Sequence, residues 1–241
     1  MKEEIQFLEG PQSRFKDFLF TLKTVREFIK GFRRLHFIGP CVTVFGSAKY
    51  GEGHEYYDLA RKIGAEVAKL GFTVLTGGGP GLMEAANRGA KDVGGRSAGC
   101  NITLPHEQHP NPYLDTMVEI RYFSIRKTLM IKYSYAFIVL PGGFGTMDEY
   151  FEAITLIQTK KISLFPIILF GNKFYNDLVQ QLQTMRENKT ISEDDYNLFN
   201  ITDSVDEAIS IIKEKSILQY GLSAHKKYTP INILKEPRIK Q

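Results

Sequence analysis

Two spacings of apolar residues alternate along this chain, and the alternation predicts its architecture. From Cys41 onward, short apolar runs stand at Cys41–Phe45, Phe72–Leu75, Ala98–Thr103, Met117–Ile120, Ala136–Leu140 and Pro166–Phe170, with a weaker one at Leu198–Ile201. Each has the length of a strand buried on both faces. Amphipathic stretches lie between them and predict helices near His54–Leu70, Leu82–Asp92, Ser124–Tyr133, Met147–Thr159, Tyr175–Arg186 and Ser204–Lys215. Buried strands alternating with helices predict an α/β fold: a Rossmann-like, doubly wound, mostly parallel sheet with helices on both faces. Ahead of it, Phe15, Phe18, Leu19, Leu22, Val25, Ile29 and Phe32 recur at three- and four-residue steps, as on one face of a helix. The expected division is a helical extension over 1–37, the Rossmann-like domain over 38–217 and an extended basic tail over 218–241.

Composition narrows the partners. The 43% hydrophobic and 24% charged residues are ordinary for a globular protein, and 241 residues suffice for one large domain. The formal charge of +4 is carried at the ends: residues 1–37 contribute +3, residues 213–241 contribute +5, and the body between them stands at −4. A nucleic-acid-binding body would show the reverse, a basic stripe on the folded surface, so no nucleic-acid partner is expected. The basic ends read as solvated tails or as contacts with another subunit. Cys41 and Cys100 fall in strand runs without CxxC or Cys/His ligand spacing, which argues against a disulfide framework or a zinc site. Lys16, Lys23, Arg26, Lys30, Arg33 and Arg34 interrupt the apolar segment from Phe15 to Phe37, and no run is long and uncharged enough to span a membrane. With no signal-peptide pattern at the start, the expected location is cytoplasmic. A basic amphipathic helix can also lie on a membrane surface. Phe20, Phe28 and Phe37 widen the apolar face, however, which suits packing on its own domain or on a sister subunit.

Three strand-to-helix junctions carry the candidate chemistry. They are Gly46-Ser47-Ala48, then Thr76-Gly77-Gly78-Gly79-Pro80-Gly81-Leu82-Met83, then Pro141-Gly142-Gly143-Phe144-Gly145-Thr146. Glycines let backbone N–H groups converge on one anion, and the helix that follows adds its positive end. Three such loops at one sheet edge point to a phosphate or nucleotide site. There is no GxxxxGK[ST], so no Lys is supplied to a β/γ-phosphate. The first junction lacks GxGxxG, and the second strand ends without an acid for a ribose hydroxyl, which disfavours an NAD site. A monophosphate cradle fits best.

Charged residues complete the site. Glu149 stands three positions after Thr146, so Thr146-x-x-Glu149 reads as a capping box. The same carboxylate sits beside any anion bound at that helix end, a costly place unless it faces a developing cation such as a ribosyl oxocarbenium ion. Arg126 and Lys127 open the preceding helix at the same sheet edge, where an Arg can hold a phosphate or fix a carboxylate bidentately. The loop from Pro105 to Tyr113 follows another strand end and lies over the site. Its His106 and His109 lack the further ligands a metal centre needs. No metal and no organic cofactor is expected.

At these residues the sequence resembles the LONELY GUY (LOG) family of cytokinin-activating phosphoribohydrolases, long mislabelled as lysine decarboxylases. The family's GGGxxGLM segment is matched by Gly77–Met83, its PGGxGTxxE segment by Pro141–Glu149 and its Arg-Lys pair by Arg126-Lys127. The resemblance covers about Cys41 to Ile212 and implies hydrolysis of a purine ribonucleoside 5′-monophosphate, AMP or a cytokinin ribotide, to free base and ribose 5-phosphate. It implies Arg126 and Glu149 as the catalytic pair. Gly142, Gly143, Gly145 and Thr146 match the phosphate loop, and Glu107, Lys127 and Thr155 match further substrate contacts. Gly46, Ser47, Gly78 and Gly79, from the other two junctions, complete the expected binding set. The resemblance also implies a homodimer or larger homo-oligomer. The long N-terminal helix, the basic tail and the Pro105–Tyr113 loop place the chain nearer the larger bacterial subgroup. A decarboxylase would need a Schiff-base Lys and a partner for a pyridinium nitrogen, and no motif supplies them. The competing class is a nucleotide or molybdenum-cofactor carrier of the same fold. Retention of both Arg126 and Glu149 favours the enzyme.

Overall fold

A computed structural model describes residues 13–103 and 109–218. Helix α1 (Arg14–Leu35) precedes β1 (Cys41–Phe45), α2 (Glu55–Lys69), β2 (Thr73–Thr76), α3 (Leu82–Asp92), β3 (Ser97–Ile102) and β4 (Thr116–Ile120). Next come α4 (Phe123–Tyr133), β5 (Ser134–Val139), α5 (Phe144–Gln158), β6 (Ile167–Phe170) and α6 (Asn172–Glu187). A short α7 (Glu193–Tyr196), β7 (Phe199–Thr202) and α8 (Val205–Ile212) follow, and a π-helical turn over Lys213–Leu218 closes the described chain. The seven strands pair in parallel in the order β4-β3-β2-β1-β5-β6-β7. The order reverses between β1 and β5. In doubly wound sheets the ligand crevice opens at the carboxyl ends of the strands beside that reversal, and the loops after β1 and β5 flank it here.

Strand alternation divides the core between the two faces of the sheet. On one side Cys41 and Phe45 of β1 join Phe137 and Val139 of β5 under α4, α5 and α6. On the other, Val42 and Val44 join Ala136 and Ile138 under α2, α3 and α8. Thr43, between them in sequence, is fully buried and shares a hydrogen bond of 2.5 Å with Ser134 Oγ.

Most boundaries move by one to three residues from the expected ones, and α6 begins at Asn172 rather than Tyr175. Helix α5 begins at Phe144 rather than Met147, with Gly143 as its N-cap. Strand β5 begins at Ser134 and follows α4 without a loop. Its polar first residue is accommodated because Ser134 Oγ also donates to the Met130 carbonyl at 2.6 Å. The four-residue α7 has no apolar period to announce it, only a capping box between Ser192 and Asp195. The tail beyond Leu218 lies outside the described residues.

Helix α1 lies against the edge strand β4 and α4. Leu35 is fully buried, and Gly31 packs closely on the Leu129 side chain of α4. Phe20 stands edge-to-face on Tyr122 at 5.2 Å, and the Glu27 carboxylate accepts from the Arg121 N–H at 3.0 Å. Among the described residues, no helix is long and apolar enough to cross a membrane.

Candidate active site

The three glycine junctions meet at the carboxyl edge of the sheet, and Ser47 joins them. Its N–H donates to the Pro141 carbonyl of the third loop at 3.0 Å, and its own carbonyl accepts from Leu82 N–H of the second at 3.0 Å. Neither bond depends on the Ser47 side chain, so the contact is between backbones that glycines on either side allow to approach.

A buried amide network fixes the second loop. Gly78 N–H donates to Thr76 Oγ1 at 2.9 Å, and that hydroxyl donates to Asn87 Oδ1 at 2.6 Å. Asn111 closes the arrangement: its N–H donates to the Gly78 carbonyl at 2.9 Å, and its Nδ2 donates to the Gly79 carbonyl at 3.1 Å and to Asn87 Oδ1 at 3.0 Å. Asn87 Nδ2 in turn donates to Ser97 Oγ at 2.8 Å. Because these groups are buried, each bond lost would leave a polar atom unpaired. Asn87 and Asn111 were not among the expected site residues. Neither belongs to a charge or glycine pattern, and only the fold brings them together.

Arg126 stands in the first turn of α4 and is held at both ends of its guanidinium. Nε donates to the Cys100 carbonyl at 2.8 Å, and Nη1 donates to Glu149 Oε1 at 2.8 Å. The group lies against Gly77, where a Cβ would come within 2.6 Å of Nη2 and 2.7 Å of Met83 Sδ. Glycine is required there to admit the guanidinium. The side chains of Arg126 and Glu149 are only 12% and 3% exposed.

Glu149 is no cap. Because α5 starts at Phe144, Thr146 is its third residue and Glu149 its sixth, so the expected capping box does not form. Thr146 N–H donates instead to the Gly143 carbonyl at 3.0 Å. One Glu149 oxygen is taken by Arg126, while Oε2, buried, has no hydrogen-bond partner among the described residues. Burial pushes the carboxyl up to about 7 against the opposing pull of Arg126, and Glu152 and Asp148 add to the rise. A buried carboxyl with a free oxygen and a pKa near neutrality can act as a base or face a cation at physiological pH.

The remaining expected residues divide. No side chain among the described residues caps α5 at Gly143, which leaves the first-turn N–H groups of Phe144 and Gly145 at the helix end without a capping side chain. Gly142 is packed against Thr146, which leaves no room for a side chain. Lys127 pairs with Glu152 at 2.9 Å and Asp148 at 3.1 Å on α5, so its charge is already balanced. Thr155 lies two turns beyond Glu149, exposed, with its hydroxyl bonded to the Phe151 carbonyl at 2.6 Å. Within one chain it does not join the Arg126–Glu149 pair. Glu107 and His106 lie outside the described residues, and no group of three or more His, Cys, Asp or Glu suited to a metal occurs among those described. An open concavity of about 510 Å³ beside Ile157, Lys160, Lys161 and Leu198 sits at the opposite edge of the sheet and contains none of these groups.

Known proteins show which family the chain belongs to. The family described as "possible lysine decarboxylase" matches residues 83–212. A cytokinin riboside 5′-monophosphate phosphoribohydrolase of Rhodococcoides fascians is 31% identical over 147 residues, covering 59% of this chain and 73% of the relative. The corresponding enzyme of Oryza sativa subsp. japonica is 37% identical over 133 residues, about half of either chain at 53% each. Among solved structures, a molybdenum cofactor binding protein from Rippkaea orientalis superposes with a TM-score of 0.55 at 24% identity, over 74% of this chain and 98% of its own, a likeness of fold. With both the glycine loops and the Arg126–Glu149 pair in place, the chain belongs to the family described as possible lysine decarboxylase, the LONELY GUY family.

Proposed function

We propose that this protein hydrolyses the N-glycosidic bond of a purine ribonucleoside 5′-monophosphate, AMP or an N6-modified AMP, to free base and ribose 5-phosphate. The observation that carries the reading is the buried Arg126–Glu149 pair at the meeting point of three glycine loops, with one Glu149 oxygen left unpaired. The phosphate anchors on the Gly142–Thr146 loop and the first-turn N–H groups of α5, which fixes C1′ relative to Glu149. As the C1′–N bond breaks, positive charge grows on the ribosyl ring, and the carboxylate stabilises it. The base leaves with the electron pair of the C1′–N bond and takes up a proton from solvent, while Glu149 takes a proton from the water that bonds to C1′ and returns it to solvent. Arg126 is too basic to donate a proton. It orients the carboxylate and binds substrate. The names of the relatives from Rhodococcoides and Oryza support the same reaction class.

Glu149→Gln tests this assignment. Gln keeps an oxygen to accept from Arg126, so the protein stays folded and AMP affinity by calorimetry changes little. The charge is lost, and kcat falls by about a hundredfold or more. Near-normal turnover by the variant would remove Glu149 from the chemistry. AMP binding without base release by the unmodified protein would make it a carrier.

A further inference from the structure

Asn87 is fully buried and Asn111 nearly so, a costly placement for two carboxamides unless their bonds hold something in place. What they hold is the second glycine loop, on either side of Gly77. Thr76 is fixed by its hydroxyl on Asn87 Oδ1, and Gly78 by its N–H on Thr76 Oγ1 and by its carbonyl, which accepts from the Asn111 N–H. Asn111 Nδ2 spans the two sides, donating to Asn87 Oδ1 at 3.0 Å and to the Gly79 carbonyl at 3.1 Å. Gly77, between these anchored residues, is the surface against which Arg126 Nη2 lies. The loop reaches Arg126 by a second route as well. Gly78 packs on Gly99, where a Cβ would come within 3.0 Å of the Gly78 Cα, and the next carbonyl, that of Cys100, accepts from Arg126 Nε at 2.8 Å. The seat of the guanidinium and the acceptor that orients it both follow the position of this loop.

We propose that Asn87 and Asn111 are positioning residues, clasping the second glycine loop so that Arg126 is held on Glu149. In its bearing on turnover the proposal rests on the reaction assigned above to that pair. A guanidinium with five donors keeps to one carboxylate oxygen only if its plane is fixed. The Cys100 carbonyl at Nε and Gly77 beside Nη2 fix the plane here, which leaves Nη1 for Glu149 Oε1. Four charged groups act on Glu149: Arg126 and Lys127 from α4, and Asp148 and Glu152 from its own helix. Lys127 is paired with both of those acids, so Arg126 is the cation whose departure Glu149 would feel. Once the loop is released and the guanidinium moves off, burial is opposed less and the carboxyl rises above its value of about 7. The ionised form then appears only at higher pH.

Asn111→Ala and Thr76→Val each undo part of the clasp, the second with its shape nearly kept in case the first fails to fold. Ser97→Ala is the control. Ser97 is as buried, but it accepts from Asn87 Nδ2, not from the oxygen that holds Thr76 and Asn111. Ionisation of Glu149 is followed by infrared difference titration of the unliganded full-length proteins, with Glu149→Gln identifying the band. The pH dependence of kcat/KM for AMP is measured beside it. In both clasp variants the midpoint should rise by about one pH unit. Turnover should then be about tenfold lower at pH 6 and return to within about twofold of the unmodified protein above pH 9. Ser97→Ala should leave the midpoint in place. An unmoved midpoint in the clasp variants, with activity lowered alike at every pH, would make the amides mere scaffold and overturn the proposal. The same rise in Ser97→Ala would overturn it too. A raised midpoint in the clasp variants alone, with no base released even by the unmodified protein, would uphold the clasp and discard the reaction instead.

Discussion

Burial holds a proton on Glu149 up to about pH 7, while Arg126 at 2.8 Å works to remove it. The ionised carboxylate is the form that can face a ribosyl cation and accept a proton from water. With AMP as substrate, kcat/KM should therefore fall about tenfold for each pH unit below about 7 and level off above it. A pH–rate profile that breaks near the ordinary carboxylate value of about 4.5 would mean that the working acid is not this one. The sign for stability is the opposite. Because the fold favours the neutral acid, the stabilisation it supplies is complete below the ordinary carboxylate pKa and is lost as pH rises through about 7. A site that is active when ionised is thus kept at some expense to the fold, as is usual where buried groups do chemistry. Lys127 illustrates the converse case. Held between Glu152 and Asp148, it is a bridge between α4 and α5 that keeps Arg126 and Glu149 in register, whatever contact it also makes with substrate.

Helix α1 is a structural member of the domain rather than a leader laid over it, because Leu35 is fully buried and Gly31 packs directly on Leu129. Leu35→Ala should accordingly lower stability by about 2–4 kcal/mol in urea unfolding, the scale of a large buried side chain lost from a packed core. A change within a few tenths of a kcal/mol would make α1 an appendage. The strands were legible in the sequence because parallel strands buried on both faces read as continuous apolar runs, and each observed strand overlaps an expected one. The start of β5 was less legible. Ser134 is polar, and its partners, Thr43 and the Met130 carbonyl, are distant or featureless in sequence. Gly-Phe-Gly-Thr reads as loop in sequence, yet the helix already begins at Phe144, which moves Glu149 beyond the reach of a capping box with Thr146. Alternating strands and helices set Arg126 and Glu149 near one sheet edge, and the family resemblance implies their pairing, which the 2.8 Å hydrogen bond between them matches. The clasp of Asn87 and Asn111 on the second glycine loop was not legible. Buried amides acquire meaning only from partners that the fold supplies.

Across the whole molecule, the reversal of strand order between β1 and β5 decides where chemistry can occur. It opens the crevice that the first and third glycine loops flank, and β2, beside β1, brings the second loop to the same edge. The helices α4 and α5 then deliver one cation and one carboxylate from the same face. The negative body and basic ends fit a protein that takes a small anion into a local cradle of backbone amides, not one that tracks a polyanion over its surface. The reading rests on that cradle: the 5′-phosphate must be what places C1′ against Glu149. The most direct test compares base release from AMP and from adenosine by the same preparation, followed by chromatography, with a chelator present in both. Adenine and ribose 5-phosphate should form from AMP in equal amounts, undiminished by the chelator, while adenosine gives turnover lower by about a hundredfold or more. Equal turnover of AMP and adenosine, or release of base from neither, would contradict the account.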